Sequence, residues 1–344
     1  MRWWIRSGAT LVVMTLLTGL LGACGGGETR DAGPAPEQST IREFEIPMTQ
    51  WGQSPSYLPV QVAITKGFFE EEGLRIKPVF APGGGASVRA ITESDAPFGV
   101  ATVGAVLASI EAGERLKIIG LLQANTDAEW WTQGDSRFRS LSDLRGARIG
   151  FTRPGSASHR MALATVAKAG LRREDVTLVS TTDLPTGIEM LAKRQVDIVL
   201  GNRVPSEYRR VYSGEFRVFA RWADIATSLE YVVVAKDTAI QSDPELVRAF
   251  MRALRRGIEY IFSNRESPEL VDLYMALVSA KPEDRDVGEF MWNDTKGRLE
   301  QLWGNYLTID FDKMREEAEN AVALGQLRAV PSDWTRYVDM RFIP

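Results

Sequence analysis

The chain has one cysteine, Cys24, and one histidine, His159, among 344 residues. A zinc site ordinarily takes three or four Cys, His or carboxylate ligands, and neither a CxxC nor an HExxH spacing occurs, so the common zinc signatures are excluded. One cysteine cannot form an internal disulfide, and Cys–His nucleophilic chemistry would have to use Cys24, which lies in the leader. Long basic runs are also missing. Lys plus Arg number 41 against 45 Asp plus Glu, a formal net charge of −4. A mildly acidic chain without clustered cations is poorly suited to a phosphate backbone, so nucleic acid is not an expected partner. No Gly-Lys-Ser/Thr follows the glycines at 83–85, which excludes a nucleotide-binding P-loop there. What remains is an ordinary soluble composition, with 44% hydrophobic and 25% charged residues, and a length that suits two domains of common size.

The first residues are basic at Arg2 and Arg6. Gly8 to Leu21 is apolar but shorter than the roughly 20 residues that span a bilayer comfortably. It fits the hydrophobic region of a signal peptide. The run ends in Leu21-Gly22-Ala23-Cys24, which resembles a bacterial lipobox, with small residues ahead of a lipid-modified cysteine. Gly25 to Thr40 is rich in Gly, Pro and Ser without apolar periodicity, the composition of a flexible tether. The expected organisation is a signal peptide over 1–23, a lipid-anchored linker over 24–40, and a folded part exported to face the periplasm or exterior.

From Phe44 onward, short β-like runs alternate with helical patterns, the mark of an α/β fold with parallel strands. Phe44 to Met48 reads as a strand, Leu58 to Glu72 as a helix closed by Gly73, and Leu74 to Phe80 as a strand. Pro78 removes a ladder donor and places that strand at a sheet edge, as a 2-1-3 order requires. The chain also repeats itself. EEEGLRIKPVF, a loop and ASVRAITESDAPFGVAT are echoed by AKAGLRREDVTLV, a loop and TGIEMLAKRQVDIVLGN, each followed by a helix and a strand (LKIIGLL, FRVFARW). Two similar α/β units predict two lobes with a cleft between them. Asp243-Pro244-Glu245 then starts a helix with a cap, a proline at its first position and an acid in its first turn. Leu246, Phe250, Leu254, Ile258 and Ile261 mark its apolar face. Ser267-Pro268-Glu269 repeats that start signal, and Glu289–Trp303 and Phe311–Leu327 read as further helices.

Several of these segments carry a family resemblance. Leu58-Pro59-Val60 through Lys66-Gly67-Phe68-Phe69-Glu70-Glu71-Glu72-Gly73-Leu74, Ser142-Asp143-Leu144-Arg145-Gly146-Ala147-Arg148-Ile149-Gly150, Asp175-Val176-Thr177-Leu178, Gln195-Val196-Asp197-Ile198-Val199 and Pro244-Glu245-Leu246-Val247-Arg248-Ala249-Phe250 occur in order. Behind a lipobox, this set resembles bacterial ABC-importer solute-binding proteins of the nitrate, sulfonate, taurine and thiamine-pyrimidine group. The resemblance implies a type II periplasmic-binding-protein fold, with 41–130 and 232–344 in lobe one and 131–231 in lobe two. It further implies a monomer that captures a small solute by lobe closure, near Ala128–Asp135 and Trp222–Tyr231, and delivers it to a membrane ABC permease without cofactor or catalysis. Trp51 to Tyr57 also resembles the thiamine-pyrimidine branch, which includes a synthase with a lysine-bound pyridoxal phosphate. Lys66 sits in a matching context, but Leu58 stands where that branch has a histidine and the synthase's cysteine-rich segment is absent. The alternatives are a binding protein serving a membrane sensor and a synthase-like enzyme using Lys66.

In open α/β sheets ligands bind beyond the C-terminal ends of strands, where helix N-termini direct N–H groups outward. The candidate contacts are therefore Trp51 and Tyr57 after the first strand, Gly84 and Gly85 after the second, and Thr102 after the third. Arg153 and Ser156 hold the equivalent place in the second unit, and Asn202 follows the strand ending at Leu200. Trp130 and Trp131 are neighbours on an extended crossing segment, so only one faces the cleft, and Glu230 begins the return crossing as a possible acceptor. His159 is expected to be a solvated helical residue. The aromatics suggest a flat heterocycle such as a pyrimidine, whereas the helix starts at Gly84 and Ser156 suggest a sulfonate-, taurine- or nitrate-type oxyanion.

Cys24→Ala is expected to leave the protein soluble in the exported fraction, or unprocessed in the membrane, when cells are fractionated. A variant that is processed normally and still anchored would refute lipid attachment at Cys24.

Overall fold

Ten strands build two five-stranded mixed sheets in the computed structural model, which describes residues 41–49, 54–154, 156–226, 229–323 and 325–344. The leader, Cys24, the tether and Trp51 lie outside the described residues. Among the described residues no helix is long and apolar enough to cross a membrane.

The strands are β1 Arg42–Thr49, β2 Leu74–Ala81, β3 Phe98–Thr102, β4 Leu116–Gln123, β5 Glu129–Gln133, β6 Arg148–Phe151, β7 Thr177–Ser180, β8 Ile198–Leu200, β9 Phe216–Arg221 and β10 Tyr231–Lys236. The first sheet runs β2-β1-β3-β10-β4 and the second β7-β6-β8-β5-β9. The two orders are the same pattern. In each, a central strand pairs in parallel with two neighbours of its own half, and a strand delivered by a crossing segment inserts antiparallel before the last strand. The repeat read in the sequence is thus realised as two equivalent sheets that exchange one strand each, β5 outward and β10 back. The second sheet already begins at Glu129, two residues ahead of the expected boundary. β2 is an edge strand, and Pro78 sits in it opposite Ile46.

The helix expected over Leu58–Glu72 is two, Leu58–Thr65 and Phe68–Glu71, because Gly67 takes a left-handed φ of 72°. That expected over Glu289–Trp303 is likewise divided, into Arg285–Lys296 and Leu299–Trp303. The Pro244–Ser263 helix follows its sequence signal: the Asp243 carboxylate accepts from Leu246 N–H at 3.0 Å, and the five residues of the apolar face are buried. Phe250 stacks on Phe98 at 4.4 Å and on Phe69 at 5.2 Å, fixing the helix to the first sheet.

The second sheet is tied to the Arg285–Lys296 helix by a buried ion cluster. Arg203, on the loop after β8, donates to Glu129 of β5 at 2.5 Å, to Asp294 at 3.0 Å and to Thr295 at 3.2 Å. Glu129 is fully buried and also accepts from the Trp131 indole at 3.3 Å. Asp294 further accepts from Arg298 at 2.7 Å and from Arg221 at the end of β9. Burial alone would raise the Asp294 pKa, but the guanidiniums of Arg203, Arg298 and Arg221 hold it below the ordinary carboxylate value.

Removing one member of such a cluster strands a buried charge. Arg203→Ala is expected to cost roughly 3–5 kcal/mol in urea unfolding, while the double variant Arg203→Met, Glu129→Gln should recover part of that loss. A single variant as stable as the native chain would show that the cluster is not a structural tie.

Candidate functional site

The C-terminal ends of strands in both sheets open onto one cavity of about 1050 Å³. From the first sheet's side it is walled by Gly84 and Gly85, which start the helix after β2, by Thr102 at the end of β3, and by Glu230 just before β10. Glycine is required at 84 by close approach: a methyl group there would lie 2.1 Å from Thr102 Oγ1 and 2.9 Å from the Ala105 Cβ. Glu317 and Asn320 reach the same wall from the Phe311–Ala323 helix. The second sheet contributes Thr152 and Ser158 after β6, Arg160 and Met161 one turn into the following helix, Leu200 at the end of β8, and Trp222 at the end of β9. Thr126 and Ala128 of the outward crossing close the floor between them.

Of the residues expected at the site, Gly84, Gly85, Thr102 and Glu230 line this cavity together. Ser156 caps its helix, accepting from His159 N–H at 3.2 Å, and shares hydroxyl contacts with Thr152 and Ser158 at 3.0 Å. It is the cavity-lining Thr152 and Ser158 that expose this cluster. Arg153 is exposed and donates to the Thr182 carbonyl at 3.1 Å, and Asn202 hydrogen-bonds the Glu207 side chain; neither lines the cavity.

Three aromatic expectations are corrected. Tyr57 is fully buried, its ring 5.2 Å from that of Tyr231, as a core anchor. Trp130 and Trp131 are both fully buried, so neither faces the cleft. β5 is interior to its sheet, with helices covering both faces, so alternation sends Trp130 into one core and Trp131 into the other. Trp131 lies directly on Gly201, where a Cβ would come within 2.1 Å of the indole. His159 is not simply solvated but stacks on Phe151 at 4.4 Å.

The aromatic surface of the cavity is instead Trp222, and the residues sequence reading missed include Arg160 and Glu317. Trp222 lay in a segment read only as a hinge. Glu317 follows its sheet partners by more than eighty residues and had no motif to mark it.

Two carboxyls dominate the electrostatics. Burial pushes Glu230 up to about 8, with Glu317 and Asp127 adding like-charge repulsion. Burial likewise pushes Glu317 up to about 7, although the Leu229 N–H, donating to its Oε1 at 3.2 Å, and the nearby Arg160 favour its ionised form. Both acids therefore exchange protons near neutrality, so the pair offers acceptors and also an O–H donor to whatever enters. Among the described residues no group of three or more His, Cys, Asp or Glu is arranged to hold a metal ion. Lys66 is remote from the cavity, on the face covered by the Pro268–Leu277 helix, where it contacts Glu269 at 3.1 Å and lies 4.9 Å over the Tyr260 ring. The Glu269 hydrogen bond raises its pKa.

The NMT1/THI5-like family matches residues 54–267, more than half of the chain. The chain belongs to this family. A riboflavin-binding protein of Chloroflexus aurantiacus is 26% identical over 322 residues, covering 91% of this chain and 90% of the relative. A 4-amino-5-hydroxymethyl-2-methylpyrimidine phosphate synthase of Legionella pneumophila is 26% identical over 72% of this chain and 77% of its own length. Among solved structures, the periplasmic aliphatic sulphonate binding protein of Escherichia coli shares the fold at 16% identity, with a TM-score of 0.63 over 88% of this chain and 91% of that one. The chain thus shares the α/β fold of that protein, as expected from the sequence.

An unfolded glutamate releases its proton near 4.5, whereas Glu230 keeps it to about 8 when folded. The ligand-free chain should therefore lose stability as pH rises from about 5 to 9, by on the order of 2 kcal/mol for Glu230 once water in the cavity is allowed for. Glu230→Gln should show a smaller loss that is complete near pH 7, where Glu317 has titrated. Urea unfolding at pH 5, 7 and 9 reads this directly, and equal slopes for the two proteins would refute it.

Proposed function

We propose that this chain is an exported, lipid-anchored solute-binding protein that captures a flat, nitrogen-bearing small molecule between two lobes and hands it to an ABC permease as a monomer. The observation that carries the reading is the shared cavity: both sheets present their strand ends to it, and the two crossing segments that join the sheets border it. Rotation about those crossings would bury a ligand between the walls, the standard hinge closure of two-lobed binding proteins. Trp222 supplies an aromatic face, and the long-covering relative named for riboflavin binding and the synthases named for an aminopyrimidine favour a heterocycle over a small oxyanion.

A binding role is also supported against the pyridoxal alternative. A lysine that forms a Schiff base must present a neutral amine at the reaction site. Lys66 is held protonated by Glu269 on a face away from the cavity. A sensor-coupled binding protein would keep the same fold and cleft, so the distinction lies in the partner.

Ligand-free protein incubated with a metabolite extract, washed and denatured should release one solute in near-equimolar amount for mass spectrometry. Loss of the gene should abolish uptake of that solute. Recovery of no solute would refute the binding role, and unchanged uptake with an altered transcriptional response would replace delivery by sensing.

A further inference from the structure

We infer that Glu317, on the Phe311–Ala323 helix, is a specificity-determining residue that joins Glu230 in a two-carboxyl acceptor selecting solutes with N–H donors or positive charge against sulfonate- and nitrate-type anions. The inference rests on the solute-binding reading and names the ligand class of the same cavity.

The two side chains reach one wall from elements far apart in sequence, the start of β10 and a helix near the C-terminus. Among the described residues, Glu230 accepts no side-chain hydrogen bond, and Glu317 accepts only from Leu229 N–H, through Oε1 at 3.2 Å. Glu317 Oε2 and both Glu230 oxygens are thus left for a ligand. Both residues are half-buried, so a ligand that donates to these oxygens as it closes off water satisfies groups that would otherwise lose a partner.

The surrounding charge sets the sign. Arg160 is the single cation lining the cavity among the described residues, and it faces Glu317 from the opposite wall. Behind the wall, Asp127 lies near Glu230 but is paired with Arg203 at 3.6 Å, and Glu316 lies near Glu317. A sulfonate entering here would meet one lining cation, Arg160, and that cation already faces a carboxyl, Glu317, that ionises near neutrality. A ring N–H or exocyclic amine would instead find acceptors, and the upward-shifted acids can keep one proton to donate to a ring nitrogen.

Calorimetry on the full processed chain with riboflavin, thiamine, ethanesulfonate and nitrate tests this. Riboflavin or thiamine is expected to bind, and neither anion. Glu317→Gln keeps an oxygen for the Leu229 N–H, so its melt should stay near native while affinity for the binding probe falls about tenfold to hundredfold. Glu230→Gln should weaken binding comparably. Unchanged affinity in Glu317→Gln would confine Glu317 to holding Leu229 and overturn the inference. Binding of ethanesulfonate or nitrate would overturn it while leaving the solute-binding reading intact. Failure of all four probes would overturn the ligand class, and the recovery experiment above judges the binding role separately.

Discussion

A guanidinium buried between two carboxylates fixes the relation of the second sheet to the helices around it. Arg203 leaves β8, grips Glu129 on β5 and reaches Asp294 and Thr295 on the Arg285–Lys296 helix. A second tie runs alongside, where Arg209 of the Pro205–Tyr212 helix donates to Asp284 at 3.1 Å and to Asp286 at 3.2 Å. The desolvated Arg203 cluster contributes little net stability when complete and costs several kcal/mol when one partner withdraws, whereas the exposed Arg209 pair is worth little either way. A closing motion that separated β5 from this helix would have to break the Arg203 cluster. The cheaper motion carries the helix along with the second sheet and bends the chain elsewhere.

That constraint bears on how the halves divide. The helix tied to the second sheet comes late in the chain, among segments that sequence order assigns to the first unit. The internal repeat explains the sheets and not this helix. Each half supplies four strands in the same order and borrows the fifth from a crossing segment. The borrowed strands are antiparallel and interior, so the two halves cannot be cut apart without leaving a gap in each sheet. What lies outside the repeat is free to pack where charge and shape complement, and Asp294 finds Arg203.

Much of this was legible in the residues. Pro78 predicted an edge strand because it lacks an N–H, and β2 is an edge. Asp243-Pro244 predicted a capped helix start, and the cap is formed. The site was legible in part. Gly84, Gly85, Thr102 and Glu230 could be placed because strand ends and helix starts are local signals, and those four line one cavity. The tryptophans could not. Alternation along β5 was read correctly, but whether a face meets solvent or a helix depends on what covers the sheet, and both faces are covered. Glu317 is the opposite failure. It sits in a helix rich in acids, FDKMREEAENAVA, where its neighbours Glu316 and Glu319 are exposed and nothing local distinguishes it.

Two features of the cavity wall pull against each other. The helix starts at Gly84 and Val103 carry partial positive charge, each at most about half an elementary charge and fading within a turn. Read alone they invite an anion. Glu230 immediately precedes one of these regions in space, its carbonyl accepting the Val103 N–H at 3.3 Å, and Glu317 is drawn toward the same corner by the Leu229 N–H. The Val103 N–H is already satisfied by the Glu230 main-chain carbonyl, so one of these helix starts has a donor fewer for an incoming anion. An anion arriving there would find the Leu229 N–H already given to Glu317, whereas a donor-bearing ligand would meet the carboxyl oxygens that have no donor among the described residues.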